Sequence, residues 1–168
     1  MGLGKTIELI DLILMHPRPP EEIPITVNGT IRRHTKATII ITPPTIRISL
    51  VNSINHLLVS QWAGEFGDRA PSLKVFIYPG VQNLPIDFDS DNFLDYDVIL
   101  ATYPILSKEL HFATTPPDRS MRYRKTHQPR RSPLVEFTWW RVCLDEAQMI
   151  EGSVTSAALV ACMMPRTV

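Results

Sequence analysis

The sequence predicts an α/β fold: a parallel sheet with helices on both faces, three layers in all. Three observations predict it. The β-branched run ATIIIT at 37–42 reads as a strand buried on both faces, and LKVFIY at 73–78 and DVILATY at 97–103 read as further strands. Helical or loop segments long enough for crossovers separate them. A fourth apolar run, 139–144, leads straight into Asp145 and Glu146, and parallel sheets place ligand-binding groups at the carboxyl ends of their strands.

The elements follow in order. Residues 7–15 form a short apolar helix that Pro17 ends. Residues 16–36 are Pro-rich and polar and read as a loop. The strand at 37–42 stops at Pro43-Pro44. IRISLVNSINHLLVS at 46–60 is only loosely amphipathic and precedes the helix-like QWAGEF at 61–66. The strand at 73–78 stops at Pro79-Gly80. Residues 104–111 suit a short helix, 113–133 a long basic loop, and 154–164 a closing helix rich in small residues.

Composition excludes several classes. The chain of 168 residues is 44% hydrophobic and 20% charged, ordinary for one globular domain. Net charge is zero, so bulk charge names no partner. Its distribution is uneven: seven acids against two basic residues over 65–97, then six Lys/Arg against one Asp over 118–131. The basic stretch suits either an anion-facing or a simply solvated loop. Cys143 and Cys162 sit in apolar surroundings and read as buried thiols of a reducing compartment. His16, His34, His56, His111 and His127 show no ligand spacing with either cysteine, which argues against zinc. No signal peptide is evident, and no apolar run reaches the roughly 18 residues of a membrane span.

Two motifs carry chemistry. GLGKT at 2–6 has the spelling of the second half of a phosphate-binding loop, opening onto a helix. There the backbone N–H groups and the helix dipole attract phosphate, Lys5 reaches the β/γ-phosphates and the Thr6 hydroxyl suits Mg²⁺. A glycine turn capping a helix gives the same letters. LDEAQ at 144–148 puts adjacent acids on a strand end. Asp145 would hold Mg²⁺ and Glu146 would orient the attacking water. A plain helix-capping Asp-Glu pair is the bland alternative. In Trp139-Trp140, strand alternation points Trp140, Val142 and Leu144 into the core, so the pair is not read as a base-stacking platform.

Together these motifs resemble the SWI/SNF-type, DEAD/H-box-helicase-like ATPases, in which DEMGLGKT and DEAH are the usual spellings. IIITPPTI followed by QWAGEF, and DVILATYPILSKEL, resemble the family's intervening motifs. SPLVEFTWWRVCLDEAQM is similar to the SHPRH-like branch. The resemblance covers nearly the whole chain and implies a RecA-like P-loop NTPase lobe, the first of two. It implies ATP and Mg²⁺ as cofactors, with Gly2, Leu3, Gly4, Lys5, Thr6 and Gln148 at the nucleotide. It implies metal ligation by Thr6 and Asp145 and catalytic roles for Lys5 and Glu146. Thr42, Pro43, Thr102 and Tyr103 would face the backbone of double-stranded DNA or chromatin, in a nuclear protein. Gln148 stands where His is usual.

By the same resemblance the chain is a partial helicase ATP-binding domain over 1–168. The start of the phosphate loop, the strand before it and the second lobe are missing, so the chain alone is expected not to hydrolyse ATP. Residues 46–60 have no family counterpart and read as an artefactual insert, such as a retained intron; a spliced transcript still encoding them would refute this. The alternative to an ATP-binding fragment of a DNA-dependent ATPase is a non-enzymatic remnant that binds nucleic acid or a partner weakly.

Overall fold

The computed structural model describes residues 4–19, 26–27, 30–31, 33–43, 57–85, 87–113, 131–150 and 155–167. Helix α1 spans Gly4–Met15. Two short pairs follow: β1 (Thr26–Val27) with β2 (Thr30–Ile31), antiparallel, and β3 (Arg33–His34) with the later β7 (Phe137–Thr138), parallel. The main sheet holds β4 (Thr38–Thr42), β5 (Val75–Ile77), β6 (Val98–Thr102) and β8 (Arg141–Leu144). Its order is β5-β6-β4-β8 and every pairing is parallel. Helices α2 (Leu57–Arg69), α3 (Tyr103–Ala113), α4 (Pro133–Glu136) and α5 (Ser156–Met163) complete the fold.

The double burial predicted for 37–42 holds. All five residues of β4 are buried, and successive ones serve opposite cores. Ile39 and Ile41 pack with Ile99, Leu106 of α3 and Val160 of α5. Ile40 packs with Val98, Leu100, Ile10 and Ile13 of α1, and Trp62 and Phe66 of α2. A strand's period of two therefore divides the molecule into α1/α2, sheet and α3/α5 layers. QWAGEF supplies its two aromatics at helical i, i+4 spacing, with ring centroids 6.2 Å apart.

Several expectations change. The 16–36 loop contains β1, β2 and β3. The last four residues of the expected insert, 57–60, are the first turn of α2, and Val59 is buried in its core; residues 46–56 lie outside the described residues. So do 114–130 of the basic loop, whose end is the capped helix α4: Ser132 accepts the Leu134 N–H at 3.3 Å and Pro133 opens the first turn.

The tryptophan pair is corrected in phase. Trp139, fully buried, is the core residue, and Trp140 is only half-buried. The cause is a break between β7 and β8: Trp139 bridges instead to Arg166, exchanging bonds with Pro165 O and Thr167 N, both 2.9 Å. A continuous 139–144 strand would have pointed Trp140 inward. Val142 and Leu144 are likewise half-buried, because β8 is an edge of the sheet. The cysteines are corrected too: Cys162 is exposed on the outer face of α5, and Cys143 is half-buried. Burial pushes the Cys143 thiol above its ordinary pKa, against the pull of Arg141.

The acidic stretch is largely structural. Glu65 pairs with Arg69 at 2.8 Å one turn along α2, Asp91 with Arg33, and Asp97 with Lys36 at 2.8 Å. Asp97 also accepts the Lys74 N–H at 2.9 Å, and Asp89 caps a 3-10 turn through the Asp91 N–H at 3.0 Å.

Candidate nucleotide site

The turn after β8 meets the amino end of α1 and is bonded to the ends of β4 and β6. Lys5 lies in the first turn of α1, which carries no acidic residue. A first turn free of carboxylates leaves the positive end of the helix dipole available to an anion. Lys5 Nζ stands 3.4 Å from Glu146 Oε1, across 141 residues of sequence. Their side chains are 71% and 35% exposed, so this is a loose, solvated pair. Thr6 is half-buried beside it.

The acidic turn is held by backbone as well as side chains. The Asp145 N–H donates to Ile41 O of β4 at 2.8 Å. The Tyr103 hydroxyl, from the end of β6, donates to the Asp145 carbonyl at 2.8 Å. Glu146 then takes φ of +51°, alone among described non-glycine residues in the left-handed region. The Gln148 side-chain amide donates to Glu146 Oε2. That bond first, then the charge of Lys5, holds the Glu146 carboxyl below its usual pKa. Glu146 is thus a carboxylate at neutral pH. Burial raises the Tyr103 pKa, with Asp145 and Glu146 adding to it, so its hydroxyl keeps its proton.

Helix α1 is fastened to β8 at both ends. At one end Lys5 meets Glu146. At the other, Trp140 Nε1–H donates to the His16 carbonyl at 3.2 Å, and Arg141 donates to the same oxygen. The arginine also stacks over Trp140, 5.2 Å from the ring centroid. The spans agree: 5 to 16 at helical rise is about 16 Å, and 141 to 146 at strand rise is about 16 Å. Arg141 is buried, and desolvation lowers its pKa. Its spacing from His16 carries no sequence motif, and the sequence reading missed it.

The structure brings Lys5, Glu146 and Gln148 together, with Asp145 and Thr6 next to them in the chain. Gly2 and Leu3 lie outside the described residues. A side chain on Gly4 would meet only Glu8 Oε1, at 3.7 Å, so close steric need is not what places a glycine there. The four residues expected at DNA fare differently. Thr42 is fully buried and its hydroxyl donates to Ala101 O at 3.4 Å; Pro43 and Tyr103 are buried as well. Thr102 alone of the four has a partly exposed side chain.

The SNF2-related domain family matches residues 1–166. The chain belongs to that family. It is 33% identical over 178 residues to a Saccharomyces cerevisiae protein described as the uncharacterized ATP-dependent helicase IRC20, covering 99% of this chain and 10% of that one. It is 36% identical over 133 residues to the human E3 ubiquitin-protein ligase SHPRH, covering 76% of this chain and 7% of that one. The SNF2-related chain thus spans a tenth or less of the length of these relatives. A solved structure, the Sulfolobus solfataricus SWI2/SNF2 ATPase core in complex with dsDNA, superposes with a TM-score of 0.55 at 18% identity, over 99% of this chain and 24% of that one. At that identity the likeness speaks for the fold, which is the RecA-like α/β lobe.

Nucleotide and Mg²⁺ use is general to SNF2-type ATPases, and the site fits both. The first turn of α1 carries no acidic residue, Lys5 is exposed, and its partner at 3.4 Å is displaceable. Among the described residues no three His, Cys, Asp or Glu gather as a metal cage. Mg²⁺ suits such a site, because it is usually held by one or two protein oxygens, phosphates and water.

Proposed function

We propose that this chain forms one wall of the Mg·ATP site of a nuclear, DNA-dependent SNF2-type ATPase that remodels chromatin or translocates on duplex DNA. The observation that supports it most is the meeting of Lys5 and Glu146 at 3.4 Å. Lys5 takes the β/γ-phosphates, with the N–H groups at the start of α1. The Thr6 hydroxyl and Asp145 take Mg²⁺, which neutralises phosphate charge. Glu146, ionised, orients the attacking water, and Gln148 holds its second oxygen. Duplex DNA lies along the β6 end, where Thr102 offers a partly exposed hydroxyl to phosphate oxygens.

The same exposure limits catalysis. Transition-state charge is stabilised by fixed dipoles in a water-excluded site. A lysine 71% exposed gives no such enclosure. The 168-residue chain therefore binds nucleotide with negligible turnover, and a second lobe completes the site.

The test is binding of a fluorescent ATP analogue with Mg²⁺ to the chain and its Lys5→Ala variant. Binding that falls at least tenfold on substitution supports the reading. Equal or absent binding in both would leave the chain as a non-enzymatic remnant.

A further inference from the structure

Tyr103 was expected at DNA, yet it is 5% exposed and its hydroxyl points back into the molecule, onto the Asp145 carbonyl. Asp145 is consequently held from two elements at once, through its N–H by Ile41 O of β4 and through its carbonyl by Tyr103, the first residue of α3, both at 2.8 Å. The next residue, Glu146, occupies the left-handed region at φ +51°. That conformation is unfavourable for a residue with a Cβ and persists only where surroundings impose it. The two bonds to Asp145 are such an imposition. In that conformation Glu146 faces Lys5 and Gln148.

We propose that Tyr103 is a positioning residue: its hydroxyl, by gripping the Asp145 carbonyl, keeps Glu146 in its left-handed conformation opposite Lys5. The grip also makes β6 and the acidic turn one mechanical unit. Thr102, beside Tyr103 at the β6 end, is partly exposed, so a ligand pressing there shifts the tyrosine and with it Glu146. This part rests on the nucleotide-site reading above; the grip itself does not.

The experiment uses the full chain and Tyr103→Phe, which keeps the buried ring and removes one donor. The first readout is hydrogen exchange of the Asp145 amide. Loss of the grip speeds it about fivefold, the factor for one net hydrogen bond of ~1 kcal/mol. Unchanged exchange would overturn the proposal, whatever the nucleotide results. The second is a double-mutant cycle on Mg²⁺-dependent affinity for the fluorescent ATP analogue, with Glu146→Gln as the other arm. Tyr103→Phe should weaken binding about fivefold alone and by less than about twofold in the Glu146→Gln background. An equal loss in both backgrounds would show that the tyrosine acts on the fold at large, and would overturn it. Faster exchange in a chain that shows no Lys5-dependent binding would uphold the grip and defeat the nucleotide reading instead.

Discussion

Replacing each tryptophan of the 139–140 pair by phenylalanine separates the two residues by energy. Trp139 is fully buried, its ring 6.3 Å from Phe93 and 6.2 Å from Phe137, and its indole N–H donates to Leu134 O at 2.8 Å. Trp139→Phe strands that carbonyl, which costs about 1–3 kcal/mol. The missing ring leaves a void worth roughly 1 kcal/mol more. The sum, about 2–4 kcal/mol, is a large part of the 5–15 kcal/mol that typically stabilises a domain. At roughly 2–4 °C per kcal/mol, the melting temperature falls by about 5–15 °C. Trp140 also donates, to His16 O at 3.2 Å, but it is half-buried and Arg141 donates to the same oxygen. A phenylalanine there leaves the carbonyl bonded and still offers a ring face to the guanidinium. Its cost stays under about 1 kcal/mol. Thermal unfolding followed by far-ultraviolet circular dichroism measures both. Equal losses, or a larger loss for Trp140→Phe, would refute the broken-strand geometry that puts Trp139 inside.

Two further outcomes follow from backbone and charge. Gly80 turns the chain after β5 at φ +91°, where an added Cβ would stand 3.4 Å from Ile105 Cγ2 and 3.5 Å from Glu109 Oε1. Gly80→Ala should cost about 1–2 kcal/mol, mostly as left-handed strain; an unmoved urea midpoint would contradict this. The Glu146 carboxyl should titrate below the usual glutamate range by NMR, and both Gln148→Ala and Lys5→Ala should raise it, since the Gln148 bond and the Lys5 charge each hold it down. Because the folded value is the depressed one, the stability it contributes is present above the unfolded pKa and is lost as pH falls through the folded value. A carboxyl that titrates in the usual glutamate range, or that neither variant moves, would refute this arrangement of partners.

The middle of the main sheet was legible because β4 and β6 are buried on both faces. ATIIIT and DVILATY have no polar alternation to obscure them, and each became a strand within a residue of the expected bounds, 38–42 and 98–102. The edge was harder to read. Over 137–144 no Pro, Gly or turn residue interrupts the sequence, yet the chain forms β7, then a bridge to Arg166, then β8. Nothing in the local sequence announces a break decided by a partner 27 residues downstream, and a one-residue error inverts every side chain. Cys162 misled for a related reason: α5 is apolar nearly all round, so periodicity could not say that Leu159, Cys162 and Met163 lie outside while Ala158 and Val160 lie inside.

For the site, residue type was legible and direction was not. Lys5 and Glu146 were expected together because phosphate chemistry needs a cation and an acid at strand and helix ends, and they meet. The hydroxyls of Thr42 and Tyr103 were expected to face outward on the same logic, since strand-end hydroxyls suit phosphates. They turn inward instead, to Ala101 O and Asp145 O. The physical reason is that the β4–β6–β8 ends must brace a turn with one residue in the left-handed region, and buried hydroxyls aimed at backbone carbonyls do so without exposing the donors. A motif that looks like ligand contact in a sequence can therefore be the frame that aims a neighbouring contact. The Asp145 amide exchange of Tyr103→Phe is where those two roles part, because only a framing hydroxyl changes it in the absence of any ligand.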